Sequence, residues 1–400
     1  MPKLLFDGTA MQSDQRATFH GGGEYAKFIL RAAILRGYVF DVALNPNLFL
    51  DPETMAVIDN SGKKIVHVRT KAELYSVLDS GTYDIFYSAL PYKYYDYSSK
   101  ARFIGVIHGL RPLEIVWDKY KHKYYASSLK RIVGWCIARS SIIKNELRRR
   151  QWKKLAQLIN IHNSMFITVS NHTKYAILNF FPEIQARRIH VFYSPFDTMQ
   201  KDNDNKEGTT CAVTPFFLLV SGNRFEKNTY RAIKAFDKLL DNNLLSGFEV
   251  VVTGAENLPF ADEIKHKDRF KLLPYVTTER LRELYSNAFC FVYPSLNEGF
   301  GYPPILAMSV NTPVIASSAT SIPEVCGNAA LYFSPENMDD LCNRILHIVD
   351  DEEKRTELIA LGKERVRILQ KKQSSDISKY IGLIFDTVES TSKCKIKSIV

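Results

Sequence analysis

Short apolar runs alternate with amphipathic helical patterns along most of this 400-residue chain, and no other feature constrains its fold as strongly. The apolar runs lie at residues 3–7, 104–108, 166–170, 189–193, 216–221, 248–253, 270–273 and 290–293. Helical patterns separate them, among others at 25–36, 173–181, 228–240 and 279–287. Strands that alternate with helices form βαβ units around a mostly parallel sheet. The sequence therefore predicts an α/β fold.

The alternation is interrupted by the polar stretch 199–208, which has the composition of a linker. A chain of this length also exceeds what one hydrophobic core usually spans. We therefore predict two Rossmann-like domains, residues 1–205 and 206–375, and a helical tail, 376–400, that crosses back to the first domain. Parallel sheets bind ligands beyond the carboxyl ends of their strands, so we expect the two sheets to face each other across a deep cleft that holds the site.

The composition argues against several classes of protein. Hydrophobic residues make up 46% and charged residues 24%, which is ordinary for a globular chain and atypical of a disordered one. The start, residues 1–7, does not resemble a signal peptide, and no apolar run approaches the roughly 20 residues of a membrane-spanning helix. The six cysteines are scattered without a Cys-x-x-Cys pair, so neither disulfides nor a zinc site is expected. We expect a cytoplasmic protein.

The net charge of +10 is concentrated in one segment. Between Lys121 and Lys154 there are eleven basic residues and a single acidic one, Glu146, so the rest of the chain is balanced. Apolar and basic residues alternate here with roughly helical spacing. The apolar positions are Ile143, Leu147, Trp152, Leu155 and Leu158, and the basic ones are Arg148, Arg149, Arg150, Lys153 and Lys154. This pattern predicts a basic amphipathic helix.

Two interpretations of this basic helix stay open at the level of sequence. It could contact an anionic membrane surface or an anionic acceptor, or it could be a solvated helix face on a cytoplasmic enzyme. Nucleic acid is not expected as a partner, because no aromatic-rich sheet motif or helix-turn-helix accompanies the charge. The sequence leaves the oligomeric state open, a homodimer included.

Residues 293–308 combine a strand end, a glycine-bearing loop and a helix start. Gly299 and Gly301 let backbone amides approach a ligand, and Pro303 suits the first position of a helix. The unpaired amides and the dipole of that helix favour a phosphate. Glu298 is a carboxylate that can accept hydrogen bonds from two adjacent sugar hydroxyls. Together these residues predict a cradle for a sugar diphosphate.

This stretch resembles the retaining glycosyltransferases of family 4, whose pattern runs P-S-x-x-E-G-F-G-x-P-x-x-E-A-M. The continuation at 311–317, 322–325 and 327–330 is also similar to that family. The resemblance extends over most of the second domain and, more weakly, over the first. It implies the GT-B architecture, with an acceptor-binding first domain and a nucleotide-sugar-binding second domain. One position departs from the pattern, since Leu306 stands where the family has a second glutamate that binds the ribose hydroxyls.

The resemblance also assigns roles to individual residues. The segment 221–228 is similar to the family's G-x-R-x-x-K-N region, so Arg224 and Lys227 would stabilise the departing diphosphate. His108 resembles a strand-terminal histidine that touches the donor sugar. The predicted catalytic residues are His108, Glu298, Arg224 and Lys227. The predicted donor-binding residues are Gly22, Gly23, Arg224, Lys227, Tyr275, Val276, Glu298, Gly299, Phe300, Gly301, Tyr302 and Leu306.

Two of these assignments concern loops outside the central motif. Gly22 and Gly23 belong to three consecutive glycines that are predicted to form a flexible loop before a helix. In family 4, a glycine-rich loop at this position approaches the donor phosphate and the acceptor. Tyr275 and Val276 lie in a loop that resembles the one whose backbone reads the nucleotide base. The glycines lack the G-x-G-x-x-G spacing of a dinucleotide site, which argues against NAD.

The function implied by the resemblance is transfer of a hexosyl unit, with retained configuration, to a hydroxyl of a glycan, glycoprotein or glycolipid. The mannosyltransferase branch fits best, which favours GDP-mannose as the donor over UDP-glucose and UDP-N-acetylglucosamine. No cofactor or metal is expected to be required, because the D-x-D spacing at Asp202–Asp204 lies in the polar linker without a preceding strand. The alternative is a degenerate homologue that binds a nucleotide sugar or glycan without turnover, which Leu306 motivates. A sugar phosphorylase is disfavoured by the lack of a pyridoxal-lysine motif.

Overall fold

A computed structural model describes residues 3–13, 21–115, 117–199 and 214–394 of the chain, with side chains up to Phe385 in the last helix. Contacts divide the chain into two compact units. The first unit contains residues 1–110, 150–195 and 371–400, and the second contains 111–149 and 196–370. The predicted domain boundary at 205–206 falls outside the described residues, as does Asp202–Asp204.

The first unit is built on a seven-stranded parallel sheet. Its strands are β1 (Leu4–Asp7), β2 (Asp41–Leu44), β3 (Ile65–His67), β4 (Ile85–Ser88), β5 (Arg102–Ile107), β6 (Ser164–Thr168) and β7 (Ile189–Val191). Their order across the sheet is β3-β2-β1-β4-β5-β6-β7. Strands β1, β4 and β6 are buried at every position, as expected for apolar strands that are covered on both faces of a parallel sheet.

The second unit repeats this architecture with six parallel strands. They are β8 (Phe216–Leu219), β9 (Glu249–Val252), β10 (Phe270–Leu272), β11 (Cys290–Tyr293), β12 (Val314–Ser317) and β13 (Leu331–Phe333). The order is β10-β9-β8-β11-β12-β13. From β8 the chain continues through β9 and β10 toward one edge of the sheet, and from β11 it continues through β12 and β13 toward the opposite edge. The strand order therefore reverses between the neighbours β8 and β11. The predicted fold class, two Rossmann-like α/β domains with parallel sheets, is confirmed.

Helices follow most strands in both units. Those up to β7 are α1 (Gly21–Leu35), α2 (Pro52–Asn60), α3 (Lys71–Asp79), α4 (Arg111–Glu114), α5 (Ser128–Arg139), α6 (Ser141–Ile159) and α7 (Asn171–Phe180). Those after β8 are α8 (Thr229–Asp241), α9 (Thr278–Asn287), α10 (Tyr302–Ser309), α11 (Ile322–Cys326), α12 (Met338–Asp350) and α13 (Glu352–Cys394). Among the described residues, no helix combines the length and the apolar character that a membrane crossing requires.

Residues 111–149 precede the second sheet in sequence but pack within the second unit. Asp118 accepts two hydrogen bonds from the guanidinium of Arg231, at 2.7 and 3.2 Å, and both side chains are more than nine-tenths buried. Lys123 forms an ion pair with Glu263 at 2.8 Å. The Tyr124 hydroxyl accepts a hydrogen bond from the backbone of α8 at 2.8 Å. Removing either partner of the buried Asp118–Arg231 pair would leave an uncompensated buried charge, so this pair holds the segment in the second unit.

The last helix, α13, belongs to both units, because its residues up to Gln370 group with the second and those from Lys371 onward with the first. The predicted helical tail, 376–400, begins inside this helix, which starts at Glu352. In the second unit Arg365 donates to the backbone carbonyls of Glu324 and Val325. In the first unit the hydroxyl of Tyr380 lies 2.6 Å from that of Tyr87, and both side chains are buried. Each part of the helix is therefore held by specific contacts in its own unit.

Candidate functional site

The second unit places two polar loops at the point where its strand order reverses. Strands β8 and β11 are hydrogen-bonded neighbours, and the loops that follow them, residues 220–228 and 294–301, emerge at the same edge of the sheet because the strands are parallel. In open α/β sheets, ligands bind in the crevice that forms where the connections part in opposite directions. The fold therefore brings Arg224, Lys227 and the predicted donor residues 298–301 to one switch point.

Backbone hydrogen bonds tie the two loops together. The carbonyl oxygen of Glu226 accepts from the Leu296 amide at 2.8 Å and from the Ser295 hydroxyl at 3.0 Å. The Asn228 side chain donates to the carbonyl of Pro294 at 3.1 Å. Asn228 has a left-handed backbone (φ 57°), which Asn tolerates better than most residues, and it caps the turn that leads into α8. These contacts fix the position of Lys227 relative to the second loop.

Lys227 and Glu298 meet at the centre of this site. The Lys227 ammonium lies 2.7 Å from Glu298 Oε1 and 3.0 Å from the Tyr293 hydroxyl, and it also lies over the Tyr293 ring. The Ser295 hydroxyl donates to the same carboxylate oxygen at 2.5 Å. Only 9% of the Lys227 side chain and 13% of the Glu298 side chain are exposed. The arrangement is a nearly buried ion pair whose charged groups are also hydrogen-bonded to neutral side chains.

The surroundings keep the Glu298 carboxyl ionised. Burial alone would raise its pKa, but the charge of Lys227 and the hydrogen bonds from Lys227, Ser295 and Tyr293 outweigh that effect and lower the pKa to about 2. Burial lowers the pKa of Lys227, and Glu298 opposes this change. At neutral pH the site therefore presents a fixed carboxylate beside a partnered ammonium group.

The loop that carries Glu298 is also anchored from its other side. The Glu298 amide donates to the Thr320 hydroxyl at 2.9 Å, and the Ser321 hydroxyl donates to the carbonyls of Glu298 and Phe300, both at 2.9 Å. Phe300 is buried. Gly301 then adopts a φ of 103°, which L residues with a side chain rarely adopt, and leads directly into α10. The amides at the start of α10 consequently lie next to the carboxylate loop.

The remaining predicted donor residues differ in their exposure. Arg224 is exposed, whereas Lys227 three residues later is buried. Leu306 on α10 is half-buried. Gly299, Tyr302 and Val276 are also half-buried. Arg224 and Lys227 are therefore not an equivalent pair of cations.

Tyr275 lies at the edge of the same group of loops. It is 63% exposed, and its hydroxyl donates to the Asn223 side chain at 2.9 Å. Its ring approaches Gly254 so closely that a Cβ there would come within 3.0 Å of it. Gly254 has a φ of 62°, and its amide donates to the Pro274 carbonyl at 3.1 Å. The loops after β8, β9 and β10 are thus joined around an exposed aromatic side chain.

In the first unit, His108 directly follows β5 and is held by the backbone. Its Nε2 lies 2.9 Å from the carbonyl oxygen of Ala89, so this nitrogen carries the proton and Nδ1 is left as an acceptor. The Tyr25 ring packs edge-on against the imidazole, with centroids 4.9 Å apart. Burial lowers the pKa of His108 to about 4, and the bond to Ala89 only partly opposes this. His108 is neutral at physiological pH.

Gly22 and Gly23 lie in the first turn of α1, so the predicted loop at the three glycines is wrong. A Cβ on Gly22 would lie 2.4 Å from Leu90 Cδ2, so a larger residue here would require the Leu90 side chain to shift. Three consecutive glycines favour a loop on intrinsic propensity. Packing of the buried residues of α1, among them Tyr25 and Ile29, overrides that propensity.

Several groups at the site were not singled out by sequence. Tyr293 and Ser295 contact the Lys227–Glu298 pair, and Thr320 and Ser321 anchor the loop. Ser295 is the serine of the P-S-x-x-E pattern, and the sequence signal for the other three is their position at or after a strand end. Among the residues that the structure describes, no group of three or more His, Cys, Asp or Glu side chains is arranged to bind a metal ion.

Comparison with known proteins finds a family model that matches part of the second half of the chain. Residues 201–365 match the family model described as Glycosyl transferases group 1. The O-antigen chain mannosyltransferase RfbU of Salmonella typhimurium is 31% identical over 180 residues, which is 43% of this chain and 47% of that protein. The O-antigen chain mannosyltransferase B of Escherichia coli is 44% identical over 92 residues, 23% of this chain and 24% of that protein. The chain thus matches less than half the length of either relative.

The fold has a close counterpart among solved structures. Sucrose-phosphate synthase from Thermosynechococcus elongatus superposes with a TM-score of 0.67 over 98% of this chain and 100% of that one, at 15% sequence identity. At such low identity the likeness concerns the fold alone. It agrees with the two Rossmann-like domains described above.

Proposed function

We propose that this chain, whose residues 201–365 form a glycosyltransferase group 1 domain, moves a hexosyl unit from a nucleoside diphosphate sugar to an acceptor hydroxyl. The observation that carries the proposal is the ionised Glu298 carboxylate, held 2.7 Å from the Lys227 ammonium at the switch point of the second sheet. The pair combines a carboxylate that can accept hydrogen bonds from sugar hydroxyls with an ammonium group that attracts phosphate. Such a juxtaposition suits the junction of sugar and diphosphate in a donor.

The proposed chemistry follows from the charges. Negative charge develops on the leaving diphosphate in the transition state, and fixed cations aimed at it lower the barrier. We assign this role to Lys227 and Arg224, together with the amides at the start of α10. Glu298 and the neutral His108 would hold the sugar, and the leaving phosphate would take the proton of the acceptor hydroxyl. Retention of configuration, as in glycosyltransferase family 4, is part of the proposal.

GDP-mannose is the proposed donor. Support comes from the sequence pattern and from the two relatives, both of which are named as mannosyltransferases of O-antigen chains. We propose a glycan or glycolipid hydroxyl as the acceptor class. Leu306 supports a second candidate, a homologue that binds a nucleotide sugar without turnover, because leucine cannot accept hydrogen bonds from a ribose.

Calorimetric titration with GDP-mannose, UDP-glucose and UDP-N-acetylglucosamine tests the donor. We expect GDP-mannose to bind most tightly, and tighter binding of either UDP-sugar would overturn this choice. Release of GDP from GDP-mannose, measured with glycan acceptors and with water, tests the reaction. Turnover that disappears in Glu298→Gln supports transfer, whereas binding of a nucleotide sugar without turnover supports the second candidate. Failure to bind any of the three sugars would contradict both.

We further propose that part of the basic segment contacts an anionic membrane surface. Six exposed large apolar side chains lie within a stretch of fifteen residues on α5 and the start of α6: Leu129, Ile132, Val133, Trp135, Ile142 and Ile143. We call them the apolar patch. The Arg139 guanidinium lies 3.6 Å from the centroid of the Trp135 ring, and Arg148, Arg149 and Arg150 are exposed farther along α6. Apolar side chains framed by cations match the boundary between lipid headgroups and acyl chains.

The apolar patch differs from the amphipathic face that the sequence predicted. Leu155 and Leu158 are buried in the first unit. Trp152 stacks on Phe181, and its indole donates to a backbone carbonyl at 3.0 Å. The second half of α6 therefore uses its apolar residues for internal packing. The surface that we propose for lipid lies on α5 and the first turn of α6.

A further inference from the structure

The short helix α4 touches both loops of the candidate site. Arg111, its first residue, places Nη1 3.3 Å from Glu226 Oε1 in the loop after β8. Glu114, its last residue, accepts a hydrogen bond at 2.7 Å from the Asn297 side chain in the loop after β11. Although α4 follows β5 in sequence, it belongs to the second unit. Residues 111–114 therefore form a third side of the site, which the sequence did not assign to it.

The Arg111 guanidinium is only partly engaged by neighbouring side chains. One ion pair engages Nη1, and 38% of the side chain is exposed. Its Nε is enclosed, and it has no hydrogen-bond acceptor among the residues that the structure describes. A guanidinium offers five N–H donors in a rigid fork, a geometry that matches two oxygens of one phosphate. Arg111 thus has donors to offer an anionic ligand.

The charges around Arg111 do not cancel. Burial lowers the pKa of the Lys227 amine, Glu298 raises it, and the nearby charges of Arg224 and Arg111 lower it again. Burial likewise lowers the pKa of Lys121, and Glu226 opposes this change. Four cations, Arg111, Lys121, Arg224 and Lys227, therefore stand against three carboxylates, Glu114, Glu226 and Glu298. The remaining positive charge favours an anionic ligand such as a nucleoside diphosphate.

We infer that Arg111 is a third cation of the diphosphate site, and that it exchanges its ion pair with Glu226 for the β-phosphate of the donor on binding. This inference rests on the proposed function and adds a residue to it. The Glu226 carboxylate is then a competitor of the phosphate. Its removal frees Arg111, whereas removal of Arg111 takes a contact away from the ligand.

The backbone makes Glu226 suitable for testing this competition. The carbonyl oxygen of Glu226, not its carboxylate, ties the two loops together through Leu296 and Ser295. A Glu226→Gln variant keeps those bonds and loses only the charge. If Arg111 and Glu226 instead formed a structural pair, loss of either partner would disturb the site in the same direction.

The experiment is calorimetric titration of the full chain with GDP and with GMP at one ionic strength. The variants are Arg111→Gln, Arg111→Lys and Glu226→Gln. The matched control is Arg280→Gln, which breaks an exposed ion pair with Glu283 on α9. We expect Arg111→Gln to weaken GDP about tenfold, as for loss of a charged hydrogen bond, and to leave GMP within about twofold. Arg111→Lys should lose less GDP affinity than Arg111→Gln, and Glu226→Gln should bind GDP about threefold more tightly than the wild type.

Three results would overturn the inference. The first is wild-type GDP affinity in Arg111→Gln, and the second is equal weakening of GDP and GMP. The third is weaker GDP binding in both Arg111→Gln and Glu226→Gln, which would identify a structural pair. In all of these the wild type still binds GDP, so the proposed function stands. If the wild type binds none of GDP, UDP and ADP, the proposed function fails and the inference fails with it. Melting curves of each variant report whether the fold is retained.

Discussion

Lys227 and Glu298 are 71 positions apart in the chain, yet the ammonium of one lies 2.7 Å from the carboxylate of the other. Lys227 lies in the loop after β8 and Glu298 in the loop after β11, and these two strands are neighbours in the sheet. The two loops are also joined through the Glu226 carbonyl. The pair therefore has two consequences. We expect it to stabilise the second unit while both charges are present, and under the proposed function it marks where a sugar diphosphate binds.

The pair should be strongly coupled in a double-mutant cycle. Lys227→Met leaves a nearly buried carboxylate without its cation, and Glu298→Gln leaves the ammonium beside Arg224 and Arg111. We expect each single variant to lower the free energy of unfolding by about 1–3 kcal/mol. The free energy of unfolding of the double variant should be little lower than that of either single variant. Urea denaturation, followed by the transition that includes the second unit, measures the coupling.

An exposed pair supplies the control for that cycle. Arg280 and Glu283 lie 2.8 Å apart, but 57% of each side chain is exposed. Their coupling should stay below about 1 kcal/mol, because solvent screens an exposed ion pair. Coupling between Lys227 and Glu298 that is no larger than this would mean that their burial has no energetic effect, and the prediction would be wrong.

Stability should depend on pH through Glu298. Its carboxyl has a pKa of about 2 in the folded protein and about 4.5 when unfolded, so the unfolded state binds the proton first as the pH falls. The resulting stabilisation is fully present above pH 4.5 and is lost between pH 4.5 and 2. The change is about 3 kcal/mol. Urea midpoints measured across this range should fall more steeply in the wild type than in Glu298→Gln, and parallel curves would contradict the assignment.

The sequence predicted the class of the fold because buried parallel strands are nearly uniformly apolar. Strand β11 was predicted with the bounds that the structure has, Cys290–Tyr293. Strands β2, β3, β4, β12 and β13 were not predicted, although β11 is no longer than most of them, because runs of three or four residues contain too little periodicity to distinguish a strand from a buried helix segment. Local patterns therefore identified the βαβ alternation and missed part of each sheet.

The site was predicted residue by residue but not as an arrangement. Spacing in sequence indicates that Glu298 precedes a helix start, whereas its contact with Lys227 depends on which strands are neighbours. The same limit applies to Arg111, whose place beside Glu226 follows from the packing of residues 111–149 in the second unit. Pairings over such distances are tertiary, and one sequence contains no local signal for them.

The role of Leu306 can be tested by restoring a carboxylate. If the ribose of the donor lies against α10, Leu306→Glu should accept its two hydroxyls and tighten GDP binding about tenfold, the value of a charged hydrogen bond. The gain should be absent for 2′,3′-dideoxy-GDP, which lacks those hydroxyls. Titration calorimetry with both nucleotides measures the difference. An equal change for the two ligands would show that position 306 does not face the ribose.

Vesicle binding should depend on the apolar patch and on the arginines of α6. Each basic residue near an anionic surface contributes about 1 kcal/mol, so reversing Arg148, Arg149 and Arg150 to glutamate should lower the partition coefficient by more than about a hundredfold. Ile132→Ser with Ile142→Ser should weaken binding by removing side chains that are 61% and 80% exposed. Co-sedimentation with phosphatidylcholine vesicles, with and without phosphatidylglycerol, measures both effects.

A matched control separates lipid contact from general surface hydrophobicity. Leu35 and Val39 are 85% and 80% exposed in the first unit, outside the apolar patch, and their double change to serine should leave sedimentation unchanged. Because apolar insertion and charge act together, binding should require phosphatidylglycerol and should weaken as salt rises. Equal sedimentation of the wild type and the charge-reversed variant would rule out the proposed contact with an anionic membrane surface. If the serine variants of the patch instead convert a dimer to a monomer in sedimentation velocity, the patch covers a second copy of the chain.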